Sequence, residues 1–250
     1  MNIVVAMKQI PDLQQVRIRN RQPVFDGVPY TLGLIDKNAL EAGLQIKEAT
    51  GNNLIVVSVG NEEVEETIKE ALAAGADEAY LVLDDDLADL ESSQSAALLA
   101  ALIKKIDDIG IIIFGEGSGD NYSGQVGPRV AEILNMAEVG SASKIELTGT
   151  TAQITKSLED ADELLEVQLP AVVTVLGDIN EPRIASVTQI LKAGKKPKEI
   201  FEVDDLDIKV PGKSISTISN LAPENDRKRI AVKSVDELVA KLQAEGFVGR

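Results

Sequence analysis

The sequence predicts an α/β fold, in which a parallel sheet flanked by helices is followed by added antiparallel strands and a C-terminal arm. In the first half of the chain, strands alternate with helices at a spacing of roughly 25 to 30 residues, which is typical of βαβ units with right-handed crossovers. The apolar residues are mostly Ala, Val, Ile and Leu, and only 3% of the 250 residues are aromatic. This composition favours parallel strands packed beneath helices over a β-sandwich.

The first half is predicted to contain four buried strands and four helices. The helix over 37–50 has a rough apolar stripe, and Gly51 ends it. The helix over 62–76 begins with acidic residues that suit the positive end of the helix dipole. Serines open the helix over 92–106, and the fourth helix begins near Gly127. In chain order, the predicted strands are 2–7, 53–60, 78–83 and 110–115.

The second half has a different pattern. Residues 143–160 and 162–176 alternate apolar with polar or charged residues, as antiparallel strands with one wet face do. Residues 169–178 contain a further buried strand. Residues 204–229 lack helical periodicity and are predicted to form an extended arm, and 234–247 form a short amphipathic helix that begins with a capping box, SVDE.

Charge and composition exclude several classes of function. The net charge of −16 argues against binding to nucleic acid or to anionic membranes. The chain has no Cys and no His, which excludes disulfides, thiolate chemistry, Ser-His-Asp catalysis and most zinc sites. We expect no metal site and no catalytic acid or base, so any redox chemistry comes from a bound cofactor. We expect neither a signal peptide nor a membrane-inserting segment, and we expect the protein in the cytoplasm.

A glycine-rich loop follows the fourth strand, since residues 115–130 read GEGSGDNYSGQVGPRV. Ligands of open parallel sheets bind outside the carboxyl ends of the strands. The glycines let backbone amides approach a ligand, Ser123 offers a hydroxyl, Asp120 can accept from a ribose hydroxyl, and the helix N-terminus suits phosphate. The loop matches neither the P-loop nor G-x-G-x-x-G. The residues alone leave open a nucleotide site and a plain connecting loop.

Seven segments, in order over about residues 1–200, resemble the β (small) subunit of electron-transfer flavoprotein. The C-terminal VDELVAKLQAEG resembles the last helix of that family. The seven segments are VVAMKQIPD, DKNALEAGLQIKEATG, VVSVGNEEVEETIKEALAAGADEAYLV, GDNYSGQVGPRVAEIL, SKIEL, LPAVVTV, and NEPRIAS followed by ILKAGKKP.

The resemblance implies a Rossmann-like domain of the adenine nucleotide alpha hydrolase-like kind over 1–200, and an arm and helix over 201–250 that dock on an α subunit. In the ordinary branch of the family, the β subunit holds a structural AMP. In the electron-bifurcating branch it holds FAD that NADH reduces. One electron then goes to ferredoxin, and the other goes to the α-subunit FAD, which serves a flavin-dependent dehydrogenase.

The resemblance also implies a set of cofactor-binding residues at three strand ends. The family has Asn-Pro before its first helix where this chain has Gly33 and Leu34, so Asn38 is predicted to replace the missing Asn contact. The cofactor-binding residues predicted in this way are Ala6, Lys8, Asn38, Ser58, Val59, Gly60, Asp120, Asn121, Ser123, Gly124, Gln125 and Val126.

Two features distinguish this chain within the family. The motif QVGP at 125–128, and Gly124 where the ordinary branch has Asn, favour the bifurcating branch with FAD, and AMP is the alternative. The dehydrogenase-docking segment reads IASVT at 184–188, so its apolar anchor is predicted to be reduced to Val187. A third interpretation, a stand-alone adenine-nucleotide sensor, predicts a shorter chain without the arm.

Overall fold

The computed structural model describes residues 1–224 and 227–248. The strands are β1 (Asn2–Ala6), β2 (Gln9–Pro11), β3 (Arg17–Arg19), β4 (Gln22–Val24), β5 (Tyr30–Leu32), β6 (Asn53–Gly60), β7 (Glu78–Leu83), β8 (Ile109–Gly115), β9 (Ala137–Thr148), β10 (Thr151–Ser157), β11 (Asp162–Gln168), β12 (Ala171–Val175) and β13 (Lys198–Phe201). The α-helices are α1 (Leu34–Thr50), α2 (Val64–Thr67), α3 (Lys69–Ala74), α4 (Ser92–Ile103), α5 (Val126–Leu134), α6 (Val187–Ala193) and α7 (Val235–Ala244).

A nine-stranded sheet forms the centre of the fold, in the order β11-β10-β9-β12-β8-β1-β6-β7-β13. In this order, the six neighbouring strands β12, β8, β1, β6, β7 and β13 pair in parallel. β1 lies between β6 and β8. The central strands are largely apolar and do not alternate with polar residues, because both faces of a parallel sheet are covered by helices. The predicted α/β fold class is confirmed.

Successive residues of β1 point to the two faces of the sheet and enter two separate cores. Ile3 and Val5 belong to the core beneath α1 and α3, and Val4 and Ala6 belong to the core beneath α4 and α5. This alternation is the period-2 geometry of a strand, applied to a sheet with a helix layer on each side.

The added strands are antiparallel, as predicted. β10 pairs antiparallel with both β9 and β11, and Gly149 turns the chain between β9 and β10 with a φ of +61°. Ala152 and Ile154 of β10 face the core, and polar residues alternate with them. β11 and β13 form the two edges of the sheet.

The structure differs from the predicted helices in detail. α1 begins at Leu34 rather than at 37, and it ends at Gly51, whose φ of +72° is the left-handed cap expected there. The helix predicted over 62–76 is two short helices, α2 and α3, which meet at Ile68. α6 and β13 lie in the irregular region after β12, where no element was predicted.

The chain divides into two compact units. The unit that holds the sheet contains residues 1–17 and 25–218, and the other contains 18–24 and 219–250. The unit with the sheet extends to Ile218, and the division at residue 200 into a nucleotide-binding domain and a docking arm stays a prediction. Residues 225–226 and 249–250 of the predicted arm lie outside the described residues.

Part of the predicted arm, residues 203–215, belongs to the unit that holds the sheet. Val203, Leu206 and Val210 join the core beneath α4. Further along, the carboxylate of Glu91 accepts hydrogen bonds of 2.8 and 2.7 Å from the main-chain N–H groups of Ser214 and its neighbour. The stretch 203–215 therefore packs against α4 and Glu91 of its own chain.

In the second unit, α7 begins at Ser234, whose hydroxyl accepts a hydrogen bond from the N–H of Glu237. The carboxylate of Glu237 accepts from the N–H of Lys233 instead of that of Ser234, so the predicted reciprocal bond is displaced by one residue. Val235, Leu238 and Val239 of α7 are exposed. In the described ranges 1–224 and 227–248, no helix is long and apolar enough to cross a bilayer.

Gly43 allows α1 to approach the sheet closely, and its replacement tests this packing. A Cβ atom at Gly43 would lie 2.8 Å from Leu54 Cδ1 and 2.9 Å from Val5 Cγ2. We expect Gly43→Ala to lower the free energy of unfolding by about 1–2 kcal/mol, because overpacking outweighs the gain in helix propensity. Urea unfolding measures the change.

Gly194→Ala is the matched control. A Cβ atom there has no neighbour within 4 Å, and the φ of Gly194 is −62°. We expect its free energy of unfolding to change by no more than about 0.5 kcal/mol. Equal losses in the two variants would contradict the close packing of α1.

Candidate functional site

The carboxyl ends of β1 and β8 lie where the strand order of the sheet reverses. From β1 the chain moves outward to β6 and β7, and then returns to β8 on the other side of β1. The loops after two such strands leave in opposite directions, which opens the space where ligands of α/β sheets bind. We call the surface bounded by residues 7–8 and 116–126 the switch-point crevice.

Lys8 and Asp120 form an ion pair across the switch-point crevice. The Lys8 Nζ atom lies 2.6 Å from Asp120 Oδ2, and the two side chains are 42% and 25% exposed. Burial opposes the ionisation of Asp120, but the hydrogen bonds from Lys8, Ser118 and Asn121 and the charge of Lys8 together outweigh it, so the pKa of Asp120 is lowered from its ordinary value. The structure thus brings together two predicted site residues from different strand ends, and it supplies a half-exposed cation.

Asp36 is a buried carboxyl beside the crevice that the sequence analysis did not select. It lies in the first turn of α1, is 7% exposed, and its Oδ2 atom accepts a 2.7 Å hydrogen bond from the N–H of Lys8. Burial raises the pKa of Asp36 to about 7, against the hydrogen bond and the charge of Lys8. An acidic residue in a first helical turn is common, so no local pattern marks its burial.

The loop after β8 packs partly on itself. A Cβ atom at Gly117 would lie 3.0 Å from the ring of Tyr122, and one at Gly119 would lie 3.0 Å from a side chain of β2. Gly124 is different, because its φ is +63° and a Cβ atom there would meet only the carbonyl oxygen of Glu116, at 3.6 Å. The first two glycines therefore have a packing role, and Gly124 leaves space at the crevice.

The predicted phosphate-and-ribose loop is accessible. Asn121, Ser123 and Gly124 are exposed, and α5 begins immediately afterwards at Val126. The first N–H groups of a helix have no partner within the helix and form an anion site together with the helix dipole. The chemistry available here is hydrogen bonding to phosphate and hydroxyl oxygens.

The Gln125 side chain is held by two residues that the sequence analysis did not place in the site. Its Oε1 atom accepts hydrogen bonds from Ser92 Oγ at 3.1 Å and from the guanidinium of Arg129 at 2.9 Å. Gln94, also in the first turn of α4, donates to the carbonyl of Pro211 at 3.0 Å. The start of α4 therefore contacts both the predicted cofactor loop and the stretch 203–215.

The residues predicted at the first two strand ends are mostly buried. The Ser58 hydroxyl is inaccessible and donates to the carbonyl of Met7 at 2.8 Å, which ties β6 to β1. Ala6 is buried, Val59 is partly buried, and a Cβ atom at Gly60 would lie 2.7 Å from a valine side chain of α2. These residues shape the crevice wall, and their contact with a cofactor stays a prediction.

Asn38 is also buried, at 2% exposure. Its Nδ2 donates to the carbonyl of Asn180 at 2.8 Å, and Asn180 Nδ2 donates to the carbonyl of Asn38 at 3.0 Å. Among the described residues, the Asn38 Oδ1 atom has no hydrogen-bond partner. The pair links α1 to the loop after β12, and a cofactor contact of Asn38 stays a prediction.

No cluster of three or more acidic residues in 1–224 and 227–248 is arranged for a metal ion.

Comparison with known proteins identifies the family. The electron transfer flavoprotein domain matches residues 24–206. The electron transfer flavoprotein subunit beta of Thermoanaerobacterium thermosaccharolyticum is 34% identical over 97% of this chain and 96% of its own length. The chain belongs to the electron transfer flavoprotein β-subunit family.

Two further relatives of this β subunit differ in their names. The electron transfer flavoprotein subunit beta of Bacillus subtilis is 33% identical over 99% of this chain and 100% of its own length. The caffeyl-CoA reductase-Etf complex subunit CarD of Acetobacterium woodii is 36% identical over 83% of this chain and 80% of its own length. Similarity therefore extends to a relative that is named as part of a reductase complex.

A second surface of this β subunit lies around the segment after β12. Ile184 is 96% exposed, and Val187 and Leu191 are each 74% exposed. A cavity of about 510 Å³ lies beside this segment, between α1 and α3, and its apolar lining includes Leu40 and Leu44. The lining of this cavity contains none of the predicted cofactor-binding residues.

Arg183 fixes the start of this segment to α1. Its guanidinium contacts Glu41 at 2.7 Å and Glu48 at 2.5 Å. The Glu41 side chain is only 7% exposed, whereas that of Glu48 is 58% exposed. Burial opposes the ionisation of Glu41, but the hydrogen bonds from Arg183 and Gln45 and the charge of Arg183 together outweigh it, so the pKa of Glu41 lies below its ordinary value.

We expect Arg183→Met to lower the free energy of unfolding by about 2–3 kcal/mol at neutral pH, since it leaves a buried carboxylate unpaired. The pKa of Glu41 is lowered from 4.5 in the folded state, so its stabilising contribution exists above that pH and disappears as the pH falls. The difference between variant and native protein should therefore shrink below about pH 4.5. Urea unfolding at several pH values measures it.

Lys213→Met is the matched control, because Lys213 pairs with Asp89, whose side chain is 93% exposed. Exposed pairs contribute about 0–1 kcal/mol. A loss for Arg183→Met that is equal to this control, or that persists unchanged in acid, would contradict the role of the buried pair.

Proposed function

We propose that this β subunit holds FAD in the switch-point crevice and works in an electron-bifurcating complex. Bound FAD would supply the redox chemistry, in which the two electrons of a hydride from NADH are divided between ferredoxin and the α-subunit FAD that serves a dehydrogenase. The observation that carries the proposal is the accessible loop at the crevice, with Gly124 open and the start of α5 beside it. The protein binds and orients the cofactor.

The chemistry of the crevice fits an adenosine diphosphate group. Lys8 provides positive charge for the phosphates, and the N–H groups of Val126 and Gly127 at the start of α5 provide donors. Asp120 offers carboxylate oxygens to a ribose hydroxyl, and Ser123 offers a hydroxyl. Because Asp120 pairs with Lys8 at 2.6 Å, a phosphate near Lys8 competes with this carboxylate.

Structural AMP is the second candidate, and the burial of Ser58 and Asn38 favours it. Both side chains are engaged in contacts within the chain. The accessible polar groups are consequently concentrated in the loop that would hold the adenosine phosphate part, which AMP and FAD share. A small nucleotide would use these groups fully.

The proposed partners are an α subunit and a flavin-dependent dehydrogenase. The exposed Val235, Leu238 and Val239 of α7 form an apolar face that suits docking on the α subunit. On the second surface, Ile184 and Leu191 are exposed beside Val187, so the apolar area is larger than the single anchor that the sequence indicated. We propose this surface for the dehydrogenase.

The net charge of −16 supports the absence of nucleic-acid binding, and a cytoplasmic location stays a prediction.

Nucleotide content tests the proposal directly. The purified α/β complex is denatured, and its released nucleotides are separated and counted. Two FAD molecules per heterodimer are expected, one from each subunit. One FAD with one AMP per heterodimer would refute the bifurcating proposal and support structural AMP. A β subunit without any adenine nucleotide would refute both candidates.

Gly124→Asn tests the loop. Asn tolerates the φ of +63° better than other side chains, so the main effect is the added bulk where Gly124 leaves space. We expect the FAD content of the β subunit to fall at least about twofold, with an altered FAD-to-AMP ratio as a further readout.

Gly149→Asn is the matched control, since Gly149 has a φ of +61°, has no neighbour within 4 Å of a Cβ atom, and lies in the turn between β9 and β10. It should leave the nucleotide content unchanged. Unchanged FAD content in the Gly124 variant would count against placing the cofactor at this loop.

A further inference from the structure

The buried carboxyl of Asp36 occupies a niche that two glycines leave for it. A Cβ atom at Gly33 would lie 3.1 Å from Asp36 Oδ2, and one at Gly115 would lie 2.8 Å from Asp36 Oδ1. Gly115 is the last residue of β8, so the niche adjoins the strand end that borders the switch-point crevice. Side chains at these two positions would displace the carboxyl.

Asp36 holds the main chain where Lys8 leaves β1. The N–H of Lys8 donates to Asp36 Oδ2 at 2.7 Å. Among the described residues, the Asp36 carboxyl accepts no other hydrogen bond. The Lys8 side chain extends to Asp120. The position of the crevice cation therefore depends on a bond between its own main chain and a buried acid.

The charged groups that face Asp36 come from two loops. Lys8 after β1 favours its ionised form, and Asp120 after β8 favours its neutral form. Lys37, the next residue of α1, is paired with Glu70 at 2.7 Å, and Glu116 is hydrogen-bonded to the Tyr122 hydroxyl. With its pKa near 7, the carboxyl changes protonation state around neutral pH.

We propose that Asp36 is a positioning residue of the nucleotide site, which anchors Lys8 through its main chain and takes up a proton when a nucleotide phosphate occupies the switch-point crevice. This inference rests on the proposed function. A phosphate adds negative charge on the same side as Asp120 and engages Lys8, the group that favours ionised Asp36. Both effects favour the neutral carboxyl, which still accepts the Lys8 N–H through its carbonyl oxygen.

The sign of the pH dependence follows from linkage. If the bound phosphate raises the pKa of Asp36 further, binding takes up a proton, and affinity falls as the pH rises through about 7. A further rise of one pKa unit corresponds to an affinity that is about tenfold weaker well above this pH than well below it. The pyrophosphate of FAD does not titrate near neutral pH, so FAD is the suitable probe.

The experiment uses the α/β complex depleted of its β-subunit nucleotide, with the α-subunit site filled. FAD binding is measured by calorimetry from about pH 6 to about pH 8.5, with AMP in parallel. For the native protein, we expect the affinity for FAD to fall about three- to tenfold over this range, with proton uptake that is visible in buffers of different ionisation heat. An affinity independent of pH, without proton uptake, would overturn the proposal.

Two variants separate titration from anchoring. Asp36→Asn keeps an acceptor for the Lys8 N–H but does not titrate, so we expect affinity within about twofold of the acidic native value at every pH. Asp36→Ala removes the acceptor and should bind more weakly at every pH. The same pH dependence in Asp36→Asn as in native protein would refute the assignment of the proton to Asp36.

Folding and the proposed function are controlled separately. Asp36→Asn removes an ionisable group from a buried site, so above neutral pH its thermal stability should at least equal that of the native protein. Proton uptake by native protein tests the inference even if a variant fails to fold. Native complex that binds neither FAD nor AMP at the β subunit would refute the proposed function itself, and the proposal for Asp36 with it.

Discussion

The pairing of β1 with both β6 and β8 is the constraint on which the site depends. Because β1 lies inside the sheet, its two faces are buried and its end is held in register by neighbours on both sides. The reversal of strand order beside it brings Lys8 and Asp120, which are far apart in sequence, to 2.6 Å. The position of β1 among its neighbours thereby makes a binding surface from two loops that share no local pattern.

The sequence predicts those elements of the fold in which consecutive residues are nearly all apolar. The strands β1, β6, β7 and β8 are largely apolar runs, and a run of that kind fits a sheet covered on both faces. The division of 62–76 into two helices was not predicted, because its apolar spacing continues through Ile68. α6 and β13 are short elements that depend on packing against α3 and β7, and such contacts leave little trace in local sequence.

The site divides in a similar way. Asp120 and Ser123 were selected for their polar groups, and the resemblance added the other loop residues up to Val126; this loop leads directly into α5, and its contact with a cofactor stays a prediction. Ser58 and Asn38 have hydroxyl and amide groups that suit a ligand, yet these groups satisfy main-chain partners instead. Asp36 shows the converse, since its environment is made by glycines that are adjacent only after folding. Residue type indicates a capability, and tertiary structure decides its use.

The edge of the antiparallel strands has a consequence for the chain before assembly. β11 is the outermost strand on that side, and its sequence DELLEVQ places three carboxylates along an unpaired row of backbone groups. Negative charge on an edge disfavours the addition of a second strand. The charge on β11 therefore disfavours edge-to-edge aggregation of the subunit before it assembles with a partner.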